Sequence, residues 1–129
     1  MILLPTLMYP VYVEEVAKTN TDCLSTNDVV ARLRANVEPV AGATLIGVFD
    51  HQSHVAAHPE GQVALEIKDS KHVIFCLSIA IPNPLIAAVR PRAVSVLELE
   101  DRFVISFLGA PAEGPNRVMA GWIEELREG

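Results

Sequence analysis

A β-hairpin signal in the C-terminal half of the chain places the strongest constraint on the fold. Residues 93–99 and 103–108 are largely apolar, and Glu100-Asp101-Arg102 separates them. Two such segments joined by a short polar turn are typical of adjacent antiparallel strands. The sequence therefore predicts a sheet that is antiparallel at least in this part.

The other segments supply three more strands and three helical segments. Apolar runs and alternation predict strands over Val11–Lys18, Ala43–Phe49 and His72–Ile79, with a turn at Asp69-Ser70-Lys71. Helical spacing and terminal signals predict helices over Ser25–Val37, over Leu85–Val89 and from Pro115 onward. The apolar stripe of the last helix consists of Val118, Met119, Trp122, Ile123 and Leu126.

This order of strands and helices predicts one α+β domain over residues 1–129. We expect a two-layer architecture, with a largely antiparallel sheet of about five strands and helices packed on one face. Residues 1–10 are expected to form a loose segment or one that packs at an interface.

The hydrophobic content exceeds what one small core needs, and it is mainly aliphatic. Half of the residues are hydrophobic, while only 5% are aromatic. The continuous run Ala43–Phe49 implies a strand buried on both faces, or on one face and at an interface. We therefore expect part of the apolar surplus to cover a subunit interface.

Charge and cysteine content narrow the partners and the compartment. The chain has 16 acidic and 10 basic residues, and a net charge of -6 argues against general nucleic-acid binding. The apolar run Val73–Ile81 is too short to span a membrane, and Met1-Ile2-Leu3-Leu4 has no basic region before it, unlike a signal peptide. Cys23 and Cys76 match no redox or metal motif, so we expect two reduced thiols in a cytoplasmic protein.

The segment from Asp50 to His58 holds the main candidate site. His51, His54 and His58 are three and four positions apart, which places them on one face of a helix and suits a divalent metal such as zinc. Alternatively, the segment is a polar turn capped by Asp50. In a third interpretation, Asp50 and His51 form an acid–base pair at the end of a strand.

A second set of candidate residues follows the third strand. Arg90 and Arg92 flank Pro91, and two guanidinium groups on a stiff extended link can hold a carboxylate or phosphate. The alternative is that they pair with Glu98, Glu100 or Asp101 of the chain itself. Asn83 lies between two prolines, where it can contact a ligand or bind its own backbone in a turn.

Three phrases carry a family resemblance. Ile46-Gly47-Val48-Phe49-Asp50-His51, then Val73-Ile74-Phe75, then Ile81-Pro82-Asn83-Pro84 resemble the bacterial domain of unknown function 302 family, or a small uncharacterised sister group. The similarity spans Ser25 to Phe107, although Cys76 to Ile81 here intervenes before the Asn-Pro turn. The resemblance implies a compact α+β domain that is often a homodimer, and it implies no activity.

Three functional hypotheses follow from the sequence. The first is a non-catalytic homodimeric module that binds a small anion or a metal near Asp50, His51 and His54, together with Arg92. The second is an enzyme that uses Asp50 and His51 as an acid–base pair. The third is a structural or protein-interaction domain.

Overall fold

The computed structural model describes residue 1 and residues 10–127, so most of the predicted N-terminal segment lies outside the described residues. Five antiparallel strands form one sheet in the order β1-β5-β4-β3-β2. The strands are β1 Val11–Ala17, β2 Thr44–Asp50, β3 Asp69–Cys76, β4 Arg92–Glu98 and β5 Arg102–Leu108. The predicted α+β class and antiparallel sheet are confirmed.

Three α-helices accompany the sheet: α1 Thr26–Val37, α2 His51–Ala57 and α3 Glu113–Glu125. The Ser25 hydroxyl accepts a hydrogen bond from the amide of Asp28 at 3.3 Å, which confirms the predicted N-cap of α1. The helical segment predicted over Leu85–Val89 is a 3-10 turn at Ile86–Val89, and a second such turn follows β1 at Lys18–Asn20. The last helix begins two residues before the predicted Pro115.

One face of the sheet forms the hydrophobic core. Val73, Phe75, Val94, Val96, Phe103 and Ile105 project from this face, and each is at most 1% exposed. They form one cluster with buried side chains of α1 and α3, among them Leu33, Met119 and Trp122. The predicted stripe of α3 is confirmed, with Val118 partly buried and its other members buried. We call this side the covered face.

The alternate residues of the same strands point to the opposite side, which we call the open face. Strand register places Val13, Ser106, Ser95, His72 and Phe49 in one row across all five strands. Among the residues that the structure describes, α2, the loop after it and the Ile86–Val89 turn border this face. Val55 and Leu97 line one cleft there, and Val89 and Ser95 line another. The two long helices are therefore both on the covered face, and the short α2 lies at the end of the open face.

Two strands differ from the sequence prediction. The run predicted to be buried forms β2, an edge strand in which Ile46, Val48 and Phe49 are 55%, 38% and 39% exposed. Burial on both faces is therefore wrong within a single chain, because Val48 and Phe49 point to opposite faces and both are partly exposed. β3 begins at Asp69 and ends at Cys76, so the predicted turn at 69–71 is part of the strand.

A buried carboxylate ties the sheet to α1. Glu98 is 9% exposed, and its carboxylate accepts hydrogen bonds from the Thr26 amide at 2.8 Å and from the Thr26 hydroxyl at 3.0 Å. Lys18 Nζ donates to its other oxygen at 2.7 Å. Burial raises the pKa of Glu98, but the hydrogen bonds from Lys18 and Thr26 outweigh burial and lower the pKa overall.

Two further features concern the cysteines and the lengths of the helices. Cys23 is buried, Cys76 is partly exposed, and both are free thiols. Among residues 1 and 10–127, no helix combines the length and the apolar character needed to cross a lipid bilayer.

Candidate functional site

The candidate site lies where β2 ends and α2 begins. Asp50 is the N-cap of α2, and its Oδ1 accepts a hydrogen bond from the Ser53 amide at 3.0 Å. Its Oδ2 lies 3.7 Å from Lys71 Nζ on the neighbouring strand. The backbone hydrogen bond from Ser53 is the main reason that the pKa of Asp50 is lowered, and Lys71 contributes to the same shift against the effect of burial. The interpretation in which Asp50 caps this segment is confirmed, with a helix in place of the turn.

A pair of histidines stands beside this cap. The Nδ1 atom of His51 lies 3.1 Å from Nε2 of His72, so one ring donates a hydrogen bond and the other accepts it. His72 belongs to β3 and faces the open side, while His51 is the first residue of α2. Both rings stack against the Phe49 ring at centroid distances of 5.5 and 5.9 Å. Three consecutive elements of the chain therefore fix this pair.

The environment keeps His72 neutral. Burial lowers the pKa of His72, and charge repulsion from a protonated His51 lowers it further. A neutral imidazole keeps one nitrogen lone pair, so it can accept a hydrogen bond or bind a metal ion. At neutral pH the pair is thus a donor–acceptor unit with little tendency to gain a proton at His72.

The acid–base pair predicted for Asp50 and His51 has a different geometry. The carboxylate of Asp50 is directed to the helix amide and Lys71, while the ring nitrogen of His51 meets His72. The prediction that Asp50 holds the His51 imidazole is wrong, because an N-cap carboxylate is turned toward the amides of its own helix.

His51 also lines a cleft of about 200 Å³ at the end of the open face. One wall is α2, the opposite wall is the loop that follows it, and the floor is the cross-strand pair Ser70 and Leu97. The side chains that line the cleft are His51, Gln52, Val55, Gln62, Val63, Ala64, Ile67, Ser70 and Leu97. These walls are mainly apolar and contain no carboxylate, lysine or arginine, so the cleft suits an uncharged ligand.

The predicted three-histidine metal set is dispersed. Among the residues that the structure describes, no three His, Cys, Asp or Glu side chains form a group that could hold a metal ion. The ring of His54 lies 5.5 Å from the Phe49 ring, and Nδ1 of His58 accepts a hydrogen bond from the Glu60 amide at 3.0 Å. His58 ends α2 in an extended conformation, since the residue before Pro59 is disfavoured in a helix.

The arginine pair and Asn83 lie near the other end of β3 and β4. Arg90 donates a hydrogen bond to the carbonyl of Ala80, and the buried Arg92 donates to the carbonyls of Val89 and Leu108. Both guanidinium groups line a cavity of about 110 Å³. These hydrogen bonds go to carbonyls of the chain itself and do not test anion binding. Binding of an anion by the two arginines therefore stays a prediction.

Other predicted partners of these residues are engaged elsewhere. Glu98 is engaged by Lys18 and Asp101 by Arg102, instead of by the arginine pair. Asn83 Oδ1 accepts hydrogen bonds from the amides of Leu85 and Ile86, both at 3.0 Å, so the alternative of a self-bonded turn is confirmed. These residues shape the chain after β3 and lie apart from the cleft at His51.

His72 is the residue that sequence reasoning missed. Its sequence distance from the cluster and its position at the start of an apolar run concealed its role. The register of β2 and β3 pairs Phe49 with His72, which brings the two histidines together. The available signal was the antiparallel connection itself, since residues near the end of β2 must lie opposite residues near the start of β3.

A family-model comparison covers nearly the whole chain. The model of the family of unknown function DUF6858 matches residues 4–128. No curated protein and no solved structure matches the chain significantly. The resemblance to the domain of unknown function 302 family is therefore not confirmed, although an uncharacterised family was expected. The chain belongs to the family of unknown function DUF6858.

Proposed function

We propose that the protein is a non-catalytic module that binds a small, uncharged ligand in the cleft beside His51. The observation that carries the proposal is a mainly apolar cleft with His51 in its lining, where the His51 ring is held 3.1 Å from His72. The pair offers hydrogen bonds, while the apolar walls supply contact area. Such a combination is typical of small-molecule sites, in which a few polar groups orient a ligand inside an apolar pocket.

The charges around the cleft favour an uncharged ligand over the small anion expected from sequence. Lys71 is the nearest described cation to Asp50, and its ammonium is shared by Asp69 at 2.6 Å and Asp50 at 3.7 Å. The lowered pKa of His72 also limits its positive charge. An anion would therefore lose its hydration without meeting a full cation in the cleft.

Titration of the labelled protein with benzamide and with benzoate, followed by amide chemical shifts, tests this proposal. We expect benzamide to shift the amides of Val55, Ile67 and Leu97 with millimolar affinity, and benzoate to bind more weakly. Ala64→Phe fills the cleft and should abolish the shifts, whereas Ala56→Phe, outside the lining, should preserve them. Equal shifts in both variants, or tighter binding of benzoate, would contradict the proposal.

A divalent metal is the second candidate ligand, and the geometry of the histidine pair favours it. Two nitrogens that bind one tetrahedral zinc ion at about 2.0–2.1 Å lie roughly 3.3 Å apart. The nitrogens of His51 and His72 are separated by 3.1 Å, so a small movement would let both bind one ion. This candidate replaces His54 and His58 of the sequence prediction with His72.

Zinc titration of tag-free protein by calorimetry, with elemental analysis of the purified protein, tests the metal. Binding should disappear in His72→Gln and persist in His58→Gln, whose ring serves a turn. Binding should also weaken in acid, because a protonated ring has no lone pair for the metal. Zinc binding that survives His72→Gln would contradict this assignment.

The cytoplasm remains the proposed compartment. Its support is the pair of free cysteines, since secreted domains of this size commonly form disulfides. Fractionation of cells that express the tagged protein would test it, and recovery outside the cytoplasm would contradict it.

A further inference from the structure

We propose that a second copy of this chain packs against the open face, so that two sheets face each other across a two-fold axis. The proposal concerns the part of the open face beyond the cleft floor at Ser70 and Leu97, and this part includes His72. It depends on the composition of that face, on its charge and on its size.

The open face is apolar along its edges and small at its centre. Val11, Val13 and Leu108 are 63%, 57% and 52% exposed, and Phe49 on the opposite edge is 39% exposed. The central row contributes Ser106 and Ser95, whose short side chains lie between the larger edge residues. Alternation of this kind is typical of the inner faces of two packed sheets.

The charge distribution favours a second copy over a charged partner. The ionisable side chains that register places on the open face are His72, Cys76 and, at one end, Glu15 and Arg102. The last two neutralise each other, because Arg102 Nε lies 3.2 Å from Glu15 Oε1. Each copy carries a formal charge of -6, so two copies repel except where their contact surface is neutral. The open face meets that condition.

The size of the face approaches that of a standard dimer interface. Strands of seven or eight residues form it. Five strands about 4.8 Å apart, with about 3.4 Å per residue, span roughly 24 by 24 Å and a projected area on the order of 550 Å². Because side chains protrude from the sheet, the accessible area of the face is larger than this projected area. It comes close to the roughly 800 Å² that each partner buries in a standard interface.

A trough shows how the two faces can interlock. It has a volume of about 320 Å³, and His72, Ser95 and Ser106 form its floor between the edge at Leu108 and the turn at Val89. In a two-fold interface the same patch meets itself, so a protruding Leu108 or Val11 of each copy can enter the trough of the other. The serine hydroxyls can then remain hydrated or bond across the axis.

Light scattering after size-exclusion chromatography, over low to high micromolar concentration, tests the proposal. We expect the wild-type mass to rise to twice the 14.0 kDa of one chain. Ser95→Lys and Ser106→Lys place a charge at the centre of the face and should give monomers. Ala35→Lys, on the exposed side of α1, is the matched control and should stay dimeric. Added salt should strengthen association, because it screens the repulsion between net charges.

Two results would overturn the proposal. One is a monomer at every concentration, which would leave the open face to another occupant such as a peptide. The other is a dimer that both serine variants preserve while circular dichroism shows them folded. A test without variants is to follow the amide chemical shifts of Val13, Ser95 and Leu108 in the wild type as its concentration rises. If the protein is a dimer and these shifts do not change, the open face is not the dimer interface.

Discussion

The two faces of the sheet are built from the same strands, yet their side chains have different surroundings and different roles. On β3, Phe75 is fully buried beneath the helices, while Ile74, the residue before it, points to the open side and remains partly exposed. Within the described residues, α1 and α3 cover one face, whereas the segments that border the open face lie at its ends. The comparison separates residues that stabilise the chain from residues that are available to ligands and partners.

Polar side chains also differ between the covered face and the open face. On the covered side, Glu98 has three hydrogen bonds from Thr26 and Lys18, so it serves the fold. On the open side, His72 contacts His51, which lines the cleft, and Ser95 and Ser106 line a trough. A buried polar group that is satisfied within the chain has little left for a ligand, whereas a half-exposed group keeps that capacity.

The largest expected effect compares Phe75→Ala with Ile74→Ala. Phe75→Ala should lower the free energy of unfolding by about 3–5 kcal/mol, because it leaves a cavity between the sheet and the helices. Ile74→Ala should cost about 1 kcal/mol or less, since its side chain keeps contact with water. Urea unfolding at low protein concentration measures both, and equal losses would remove the distinction between the faces.

The next effect concerns carboxylates on the two sides. Glu98→Gln removes charge-assisted hydrogen bonds and should cost about 2–3 kcal/mol near neutral pH. Glu15→Gln removes an exposed ion pair with Arg102 and should cost less than about 0.5 kcal/mol. Thermal unfolding of both variants provides the measurement.

The Glu98 effect has a defined pH dependence. Because folding lowers the pKa of Glu98, its contribution is fully present above the unfolded value of 4.5 and is lost as the pH falls through the folded pKa. The difference in the free energy of unfolding between the wild type and Glu98→Gln should therefore disappear in acid. A stability difference that stayed constant down to the lowest pH would contradict the lowered pKa of Glu98.

A smaller and local effect is expected at α2. Asp50→Ala removes the helix cap, so the α2 amides should exchange with solvent several-fold faster while the amides of β4 exchange as before. Asp50→Asn retains an oxygen that can accept the Ser53 hydrogen bond and should exchange nearly as slowly as the wild type. Hydrogen exchange followed by mass spectrometry makes the measurement, and a global increase would show that α2 is part of the main cooperative unit.

The smallest effect is the pH dependence that His72 contributes. Its pKa is lowered by folding, so below the unfolded value of 6.5 the unfolded chain takes up a proton that the folded chain resists. Stability should therefore decline as the pH falls from 6.5 toward the folded pKa, and His72→Gln should flatten that part of the curve. His54→Gln is the control, and an identical flattening there would contradict the role of His72.

Local signals were enough to predict the layers of the fold. The hairpin at 100–102, the cap at Ser25 and the stripe of α3 each depend on neighbours within a few residues, and each is confirmed. The exposure of β2 could not be obtained in this way, because an apolar run does not reveal whether its strand is central or at an edge. That property depends on the order β1-β5-β4-β3-β2, which only the whole sheet determines.

The residues of the candidate site also divide into those that local sequence signals predict and those that depend on the whole sheet. Asp50 and His51 were found because they follow a strand and are adjacent in sequence. His72 was missed because its contact with His51 depends on cross-strand register. The arginine pair had a clear local pattern, yet the carbonyls of Ala80, Val89 and Leu108 are contacts that no sequence pattern marks.

The pairing of β1 with β5 has a consequence for the order of folding during synthesis. β1 is the first strand to be made, and its partner in the sheet is the last one. At ordinary rates of translation it must wait several seconds for that partner while the middle of the sheet is completed. Val11 and Val13 are then an unpaired apolar edge on a nascent chain, and this interval is when chaperones or premature association with another chain would act on the protein.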